Sequence, residues 1–204
     1  MSPHQLLIRP ATVDDLPQLV HLLRECVTAM QRDGIDQWDD IYPTGEVLGA
    51  DIEGRTIYVA SHDSVPVVGA VVLDEHQAPQ YSEVPWTIAG GKVGVVHRLM
   101  VHPDFQREGI ARFLMEFIEG RAFELGFGVI RLDTFTQNPR ALRLYQGLGY
   151  RDAGPVTLRK GLFRCFEKAL GKRSPIARSV SWIRGRTPMA RLRPMWAGSS
   201  RSST

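Results

Sequence analysis

VHRLMVHPDFQREGIARFLMEFI, residues 96–118, decides how this chain folds. Taken with the residues before it, KVGVVHRLMV (92–101) is a β-branched, apolar run that reads as a strand. HPDFQRE (102–108) is a loop. From about Gly109 to Leu125 the apolar residues Ile110, Phe113, Leu114, Phe117, Ile118 and Leu125 recur at helical spacing and form one stripe. GFGVIRLDTF (126–135) then reads as a second strand. Strand, helix and strand in this order make a βαβ unit, which sets two parallel strands side by side through a right-handed crossover. The loop-to-helix junction Gln106-Arg107-Glu108-Gly109-Ile110-Ala111 also carries chemistry. Gly109 lets a backbone approach an anion closely, small Ala111 allows tight packing of the helix start, and a helix N-terminus offers unpaired N–H donors and a positive dipole end. Such a junction suits a phosphate or pyrophosphate, although an ordinary βα turn can carry the same six residues.

Working outward, QLLIR (5–9) reads as a first strand. Thr12 and Asp15 have the spacing of a helix start, and Leu16, Leu19, Val20, Leu23, Cys26, Val27 and Met30 continue it as one buried stripe ended by Gly34. GIDQWDDIYP (34–43) is loop-like, and a second helix is expected over about 44–53. TIYVASH (56–62) and PVVGAVVLD (66–74) form a hairpin about Asp63 and Ser64. Residues 75–92 hold Pro79, Pro85 and Gly90-Gly91 and make a long connection of the kind that often serves function. Beyond the second parallel strand, Asn138-Pro139 opens a short helix through about Gln146, and final strands are expected at about 150–154 and 156–168. The sum is an α+β domain: a mixed, mostly antiparallel sheet with one parallel βαβ pair and helices on both faces.

Composition bounds the function. With 204 residues, 43% hydrophobic and 23% charged, the chain has the make-up of a globular protein and excludes collagen-like repetition and wholesale disorder. No apolar run reaches the length of a membrane span, and the first fifteen residues lack a signal-peptide core, so a cytoplasmic location is expected. Cys26 and Cys165 match no metal spacing and read as buried thiols in a reducing compartment; no His, Cys and carboxylate cluster calls for a metal. The net charge of +3 conceals an asymmetry. Residues 171–204 carry eight basic residues and no acid, which leaves the remaining 170 at about −5. The expected division is therefore a catalytic domain over 1–170 and a basic, Ser- and Arg-rich tail over 171–204, which is expected to be disordered because its scattered apolar residues cannot offset ordering entropy.

Two separated motifs together resemble the GNAT superfamily of acyl-CoA-dependent N-acyltransferases. Gln106-Arg107-Glu108-Gly109-Ile110-Ala111 fits its pyrophosphate-cradling signature, with Gln106 for the commoner Arg and Ala111 for the second Gly. LDTFTQNPRALRLYQGLGY (132–150) fits its second signature through Asn138, Ala141, Tyr145 and Gly149-Tyr150. The resemblance covers roughly residues 5–168. It implies that acetyl-CoA is the co-substrate, with no metal. Leu99, Met100 and Val101 would pair with the pantetheine arm, and Asn138 would join the coenzyme site. Tyr145 would protonate the leaving thiolate. A phenol stays protonated at neutral pH and the parent thiol titrates about 1.5 units lower. The amine acceptor must lose a proton, and two residues compete for that task. Asp133 matches the proposed glutamate base of the ribosomal-protein N-terminal alanine acetyltransferases, one methylene shorter; His97 matches a histidine of serotonin N-acetyltransferase. Trp38 and Tyr42, in a loop whose acids Asp39 and Asp40 would suit a cationic acceptor, fall on the expected acceptor side. The resemblance also admits a homodimer. The competing reading is an acyl-CoA-binding or regulatory module whose basic tail contacts nucleic acid or an anionic membrane.

Overall fold

A computed structural model describes residues 6–62 and 65–171. Its centre is a seven-stranded sheet, built from β1 (Leu6–Pro10), β2 (Ile57–His62), β3 (Val65–Asp74), β4 (Lys92–Val101), β5 (Phe127–Phe135), β6 (Arg151–Leu158) and β7 (Gly161–Ala169). The spatial order is β1-β2-β3-β4-β5-β7-β6. Among these strands only β4 and β5 run parallel, through the crossover helix α3 (Ile110–Glu124); every other neighbouring pair is antiparallel. The expected α+β architecture is what the chain adopts.

Alternation along the strands divides the core between two faces. On β2, Tyr58 and Ala60 join α3 in one cluster, while Ile57 and Val59 meet α1 (Leu16–Arg32) and α2 (Gly45–Glu53) in the other. The α1 stripe Leu19, Leu22, Leu23 and Cys26 is buried against β3 and β4. The last helix, α4 (Pro139–Gly147), lies on the α3 side and buries Tyr145 against Tyr150 and Phe166. The long connection 75–91 covers the β5, β6 and β7 end of the α1 face. Its short turn at Pro79–Glu83 buries Tyr81, and the buried Glu167 carboxylate of β7 accepts hydrogen bonds from Thr87 N–H (2.9 Å), Thr87 Oγ1 (2.6 Å) and Ile88 N–H (3.2 Å).

Two details of the sheet matter for function. The parallel pairing of β4 with β5 covers only Lys92 to Val95 against Phe127 to Arg131; beyond that point β4 stays with β3 and β5 with β7, so the sheet opens into a wedge. Within the wedge β4 also carries a bulge. Val72 faces His97 while Ala70 faces Met100, which inserts one residue at Arg98–Leu99 and places Arg98 in the left-handed region at φ 48°.

One boundary differs from the sequence reading. The break expected at residue 155, between strands at about 150–154 and 156–168, is absent: Gly154 and Pro155 both lie inside β6, and the hairpin turns at Arg159–Lys160 into Gly161 instead. The reason is position: β6 is an edge strand, where the missing N–H of Pro155 breaks no ladder, and Gly154 sits at a bulge with φ 118°. The tail expected over 171–204 falls outside the described residues from residue 172 onward.

Candidate active site

A cleft of about 1130 Å³ fills the wedge between β4 and β5. It takes in Leu99, Met100 and Val101 of β4, Gln106, Arg107, Gly109, Ile110 and Ala111 at the start of α3, and Asn138 and Tyr145 of α4. These residues lie up to 46 positions apart in the chain, and the fold brings them to one site. Of the expected residues only Glu108 stands off the cleft wall, on the exposed side of the junction.

The anion end is built by backbone conformation. Arg107 (φ 70°) and Gly109 (φ 86°) are both left-handed, and Gly109 is the N-cap of α3. The first α3 donor bound within the helix is the N–H of Phe113, to the Gly109 carbonyl, so the N–H groups at Ile110 to Arg112 have no intrahelical acceptor. Arg107, Arg112, Arg140 and Arg143 stand around this opening. Left-handed turns, free amides and nearby guanidinium groups, of which Arg140 is already paired with Asp33, fit a polyphosphate. The Gln106 side chain donates to the Val101 carbonyl (3.4 Å) and accepts from Arg140 Nη1 (2.7 Å), while Arg140 Nη2 pairs with Asp33 at the end of α1. Asn138 caps α4 by accepting from the Ala141 N–H (3.2 Å), and its amide donates to Gln37 (3.0 Å).

Midway along the cleft stand the ionisable groups. Tyr145 is buried, and that burial, followed by the nearby Asp133 charge, pushes its phenol well above the ordinary value; it keeps its proton throughout the physiological range. Asp133 of β5 accepts a 2.7 Å hydrogen bond from the Tyr81 hydroxyl. Burial raises the Asp133 carboxyl above its usual range, against the smaller opposing effects of the Tyr81 bond and of His97. His97 Nε2 lies 3.1 Å from both Asp74 Oδ1 and the His76 carbonyl, contacts made through one nitrogen. Both Cys thiols are buried and free, each pushed up to about 12 mainly by burial. Neither is a nucleophile there, because a thiol must ionise to attack.

The cleft wall away from the start of α3 also holds residues, Arg98 and Tyr81 among them, that sequence reading does not single out. Trp38, Ile41 and Tyr42 of the 34–43 loop line the cleft. Asp39, expected to greet a cation, is tied instead to Arg159 (2.7 and 2.9 Å) and to Lys160 (2.8 Å) across the β6–β7 turn, which holds its carboxyl well below the usual range and leaves no free charge. Arg98, pushed out by the bulge, makes two bonds of 2.6 and 2.8 Å to Asp51 of α2 and donates to the Tyr42 hydroxyl at 2.6 Å. Tyr81 is equally hidden: it lies in the long connection, 52 positions from Asp133. Only the general signal that long connections carry function points to it. Among the described residues no helix is long and apolar enough to cross a membrane, and no group of three or more His, Cys, Asp or Glu is placed to hold a metal ion.

Known proteins share this fold. The acetyltransferase of the GNAT family from Streptococcus agalactiae 2603 superposes with a TM-score of 0.73 at 22% identity, over 82% of this chain and 96% of that one. The paia N-acetyltransferase of Thermoplasma acidophilum, solved in complex with coenzyme A, gives 0.61 at 20% identity over 81% and 99%. The ribosomal-protein-S18-alanine N-acetyltransferase of Escherichia coli gives 0.59 at 15% identity over 84% and 97%. At such identities these structures speak for the fold. The sequence model of the acetyltransferase (GNAT) family matches residues 16–150, a span that runs from α1 through the β4–α3 junction to the end of α4. The chain therefore belongs to the acetyltransferase (GNAT) family.

Proposed function

We propose that the protein moves the acetyl group of acetyl-CoA to a primary amine by direct attack. The observation that carries this reading is the wedge itself: the edge of β4 beyond Val95 is left unpaired by β5, and it leads straight to the arginine-ringed start of α3. An unpaired strand edge can bond an extended, amide-bearing arm as another strand would. In this reading Leu99, Met100 and Val101 hold the pantetheine, the N–H groups of Arg107 to Ala111 hold the pyrophosphate, and Asn138 closes the other wall.

Acetyl-CoA bound there supplies a thioester carbonyl carbon open to an unprotonated amine. A backbone N–H near Leu99–Val101 polarises that carbonyl. Tyr145 holds a proton ready for the departing thiolate. Burial raises its phenol further, so that proton is in place when the thiolate departs. The proton of the incoming amine passes to Asp133 or to His97. Asp133 has the support of its raised carboxyl, a stronger base once ionised. His97 faces the same cleft, with Asp74 behind it. Residues 1–170 form the transferase domain and 171–204 a separate basic extension, and the reaction is a cytoplasmic one.

A mixed panel of amines with acetyl-CoA tests the reading. Free thiol and N-acetyl product should appear together, one for one. Thiol release with no acetylated amine would leave a thioesterase or a sensor in its place.

A further inference from the structure

The charges that face the cleft are unevenly signed. Among the described residues its wall holds seven Arg and Lys side chains but only two carboxylates, Asp33 and Asp133. Asp33 is paired with Arg140, and Asp133 is bonded by Tyr81. Four of the cations, around the start of α3, are accounted for by the coenzyme phosphates. The other three, Arg98, Arg159 and Lys160, are all bonded to the acceptor-side loop. Their carboxylate partners Asp51, Asp39 and Asp36 stand behind them, outside the cleft wall. What an acceptor meets is therefore donors.

Arg98 is the centre of this arrangement. Its guanidinium is fixed from behind by two bonds to Asp51, and its side chain is only 9% exposed. Its remaining Nη1 bond goes to the Tyr42 hydroxyl, which accepts it and so keeps its own O–H free to donate. The residue reaches this place only through a bulge and a left-handed backbone that a non-glycine residue adopts at a cost, and such cost is typically found where a site requires it. A planar, pre-set guanidinium beside a phenol donor is the pair that recognises a carboxylate. Trp38, Ile41, Leu158 and Phe163 give the same cleft apolar lining.

Resting on the acetyl-transfer reading, we propose that the acceptor is a small amine that also bears a carboxylate, held by Arg98 and Tyr42, with an apolar body against Trp38 and Phe163. A second cation on the acceptor has no free carboxylate to meet among the described residues of the cleft wall, so polyamines are the wrong class. The Trp38–Tyr42 loop keeps its place as the acceptor side, but the recognised charge is negative and not positive.

The test uses matched amines with and without the carboxylate, phenylalanine with phenethylamine and leucine with isoamylamine, together with spermidine. The full chain should favour the carboxylated member of each pair by roughly 10- to 100-fold in kcat/KM, the value of one charge-assisted contact. Tyr42→Phe, at an exposed position, should shrink that ratio, mostly through KM. Arg98→Gln alone would strand Asp51, so the double variant Arg98→Gln/Asp51→Asn is compared, and its ratio should fall close to one. Equal or better use of phenethylamine, or a preference for spermidine, would overturn the inference and leave the transferase reading standing. A ratio unchanged in both variants would also overturn it. Acetylation of no amine in the panel, with thiol still released, would instead overturn the transferase reading on which it rests.

Discussion

Tyr145→Phe should lower turnover by roughly 10²–10⁴, the usual value of a positioned proton donor, and leave the coenzyme-induced rise in melting temperature nearly unchanged. The ring is buried in the α3-side core against Tyr150 and Phe166, and phenylalanine keeps that packing, so the loss isolates the hydroxyl. Turnover is read by thiol release and binding by melting. Wild-type turnover in the variant would reduce Tyr145 to packing. The pH profile then separates the two candidate bases. Asp133 has a raised carboxyl, so as the base it would have to lose its proton before the reaction runs, and activity would climb as pH rises through that value. Asp133→Asn should then remove this acidic limb, and His97→Gln should not. The opposite pattern would give the task to His97.

Asp51→Ala should destabilise the protein by about 3–5 kcal/mol, the range for removing one partner of a buried ion pair. Asp51 and Arg98 have side chains only 10% and 9% exposed, and alanine would leave the guanidinium buried with Tyr42 alone. Burial is the largest influence on both partners; it carries the Asp51 carboxyl above its ordinary value even with Arg98 beside it. Burial thus offsets much of the attraction within the pair, while breaking it leaves an unpaired buried charge and is expensive. Denaturant unfolding with an unchanged slope checks this, and a loss below about 1 kcal/mol would place the pair among exposed ones. The same variant should weaken amine binding, because Arg98 would no longer be held toward Tyr42.

Tyr145 and Asp51 differ in how far the sequence alone places them. That the start of α3 and α4 share one cleft wall is legible because each part is local. Gln106 to Ala111 are contiguous, and Asn138, Ala141 and Tyr145 share one short helix whose cap and face follow from spacing alone. The βαβ unit is legible for the same reason. Arg98 and Asp51 meet across 47 positions, and the bulge that joins them leaves no mark in composition. Asp39 reads as a free acid because Arg159, which neutralises it, lies 120 positions on. The expected strand break at residue 155 follows from the proline there, and nothing local says that β6 lies at the sheet edge, where a proline is tolerated.

The central claim, that the open edge of β4 and the start of α3 hold acetyl-CoA, is tested most directly by thermal melting of the wild-type chain and of Gly109→Val with increasing acetyl-CoA. Gly109 sits at φ 86°, and a side-chain carbon placed on it would meet no atom within 4 Å. Valine there strains the backbone and projects into the approach of the phosphates without colliding with the protein core. The wild type should gain about 2.7 kcal/mol at a hundredfold excess over the dissociation constant. The variant, from its own lower baseline, should gain nothing. A wild type that does not shift at millimolar acetyl-CoA, or a variant that shifts as much as the wild type, would contradict the account.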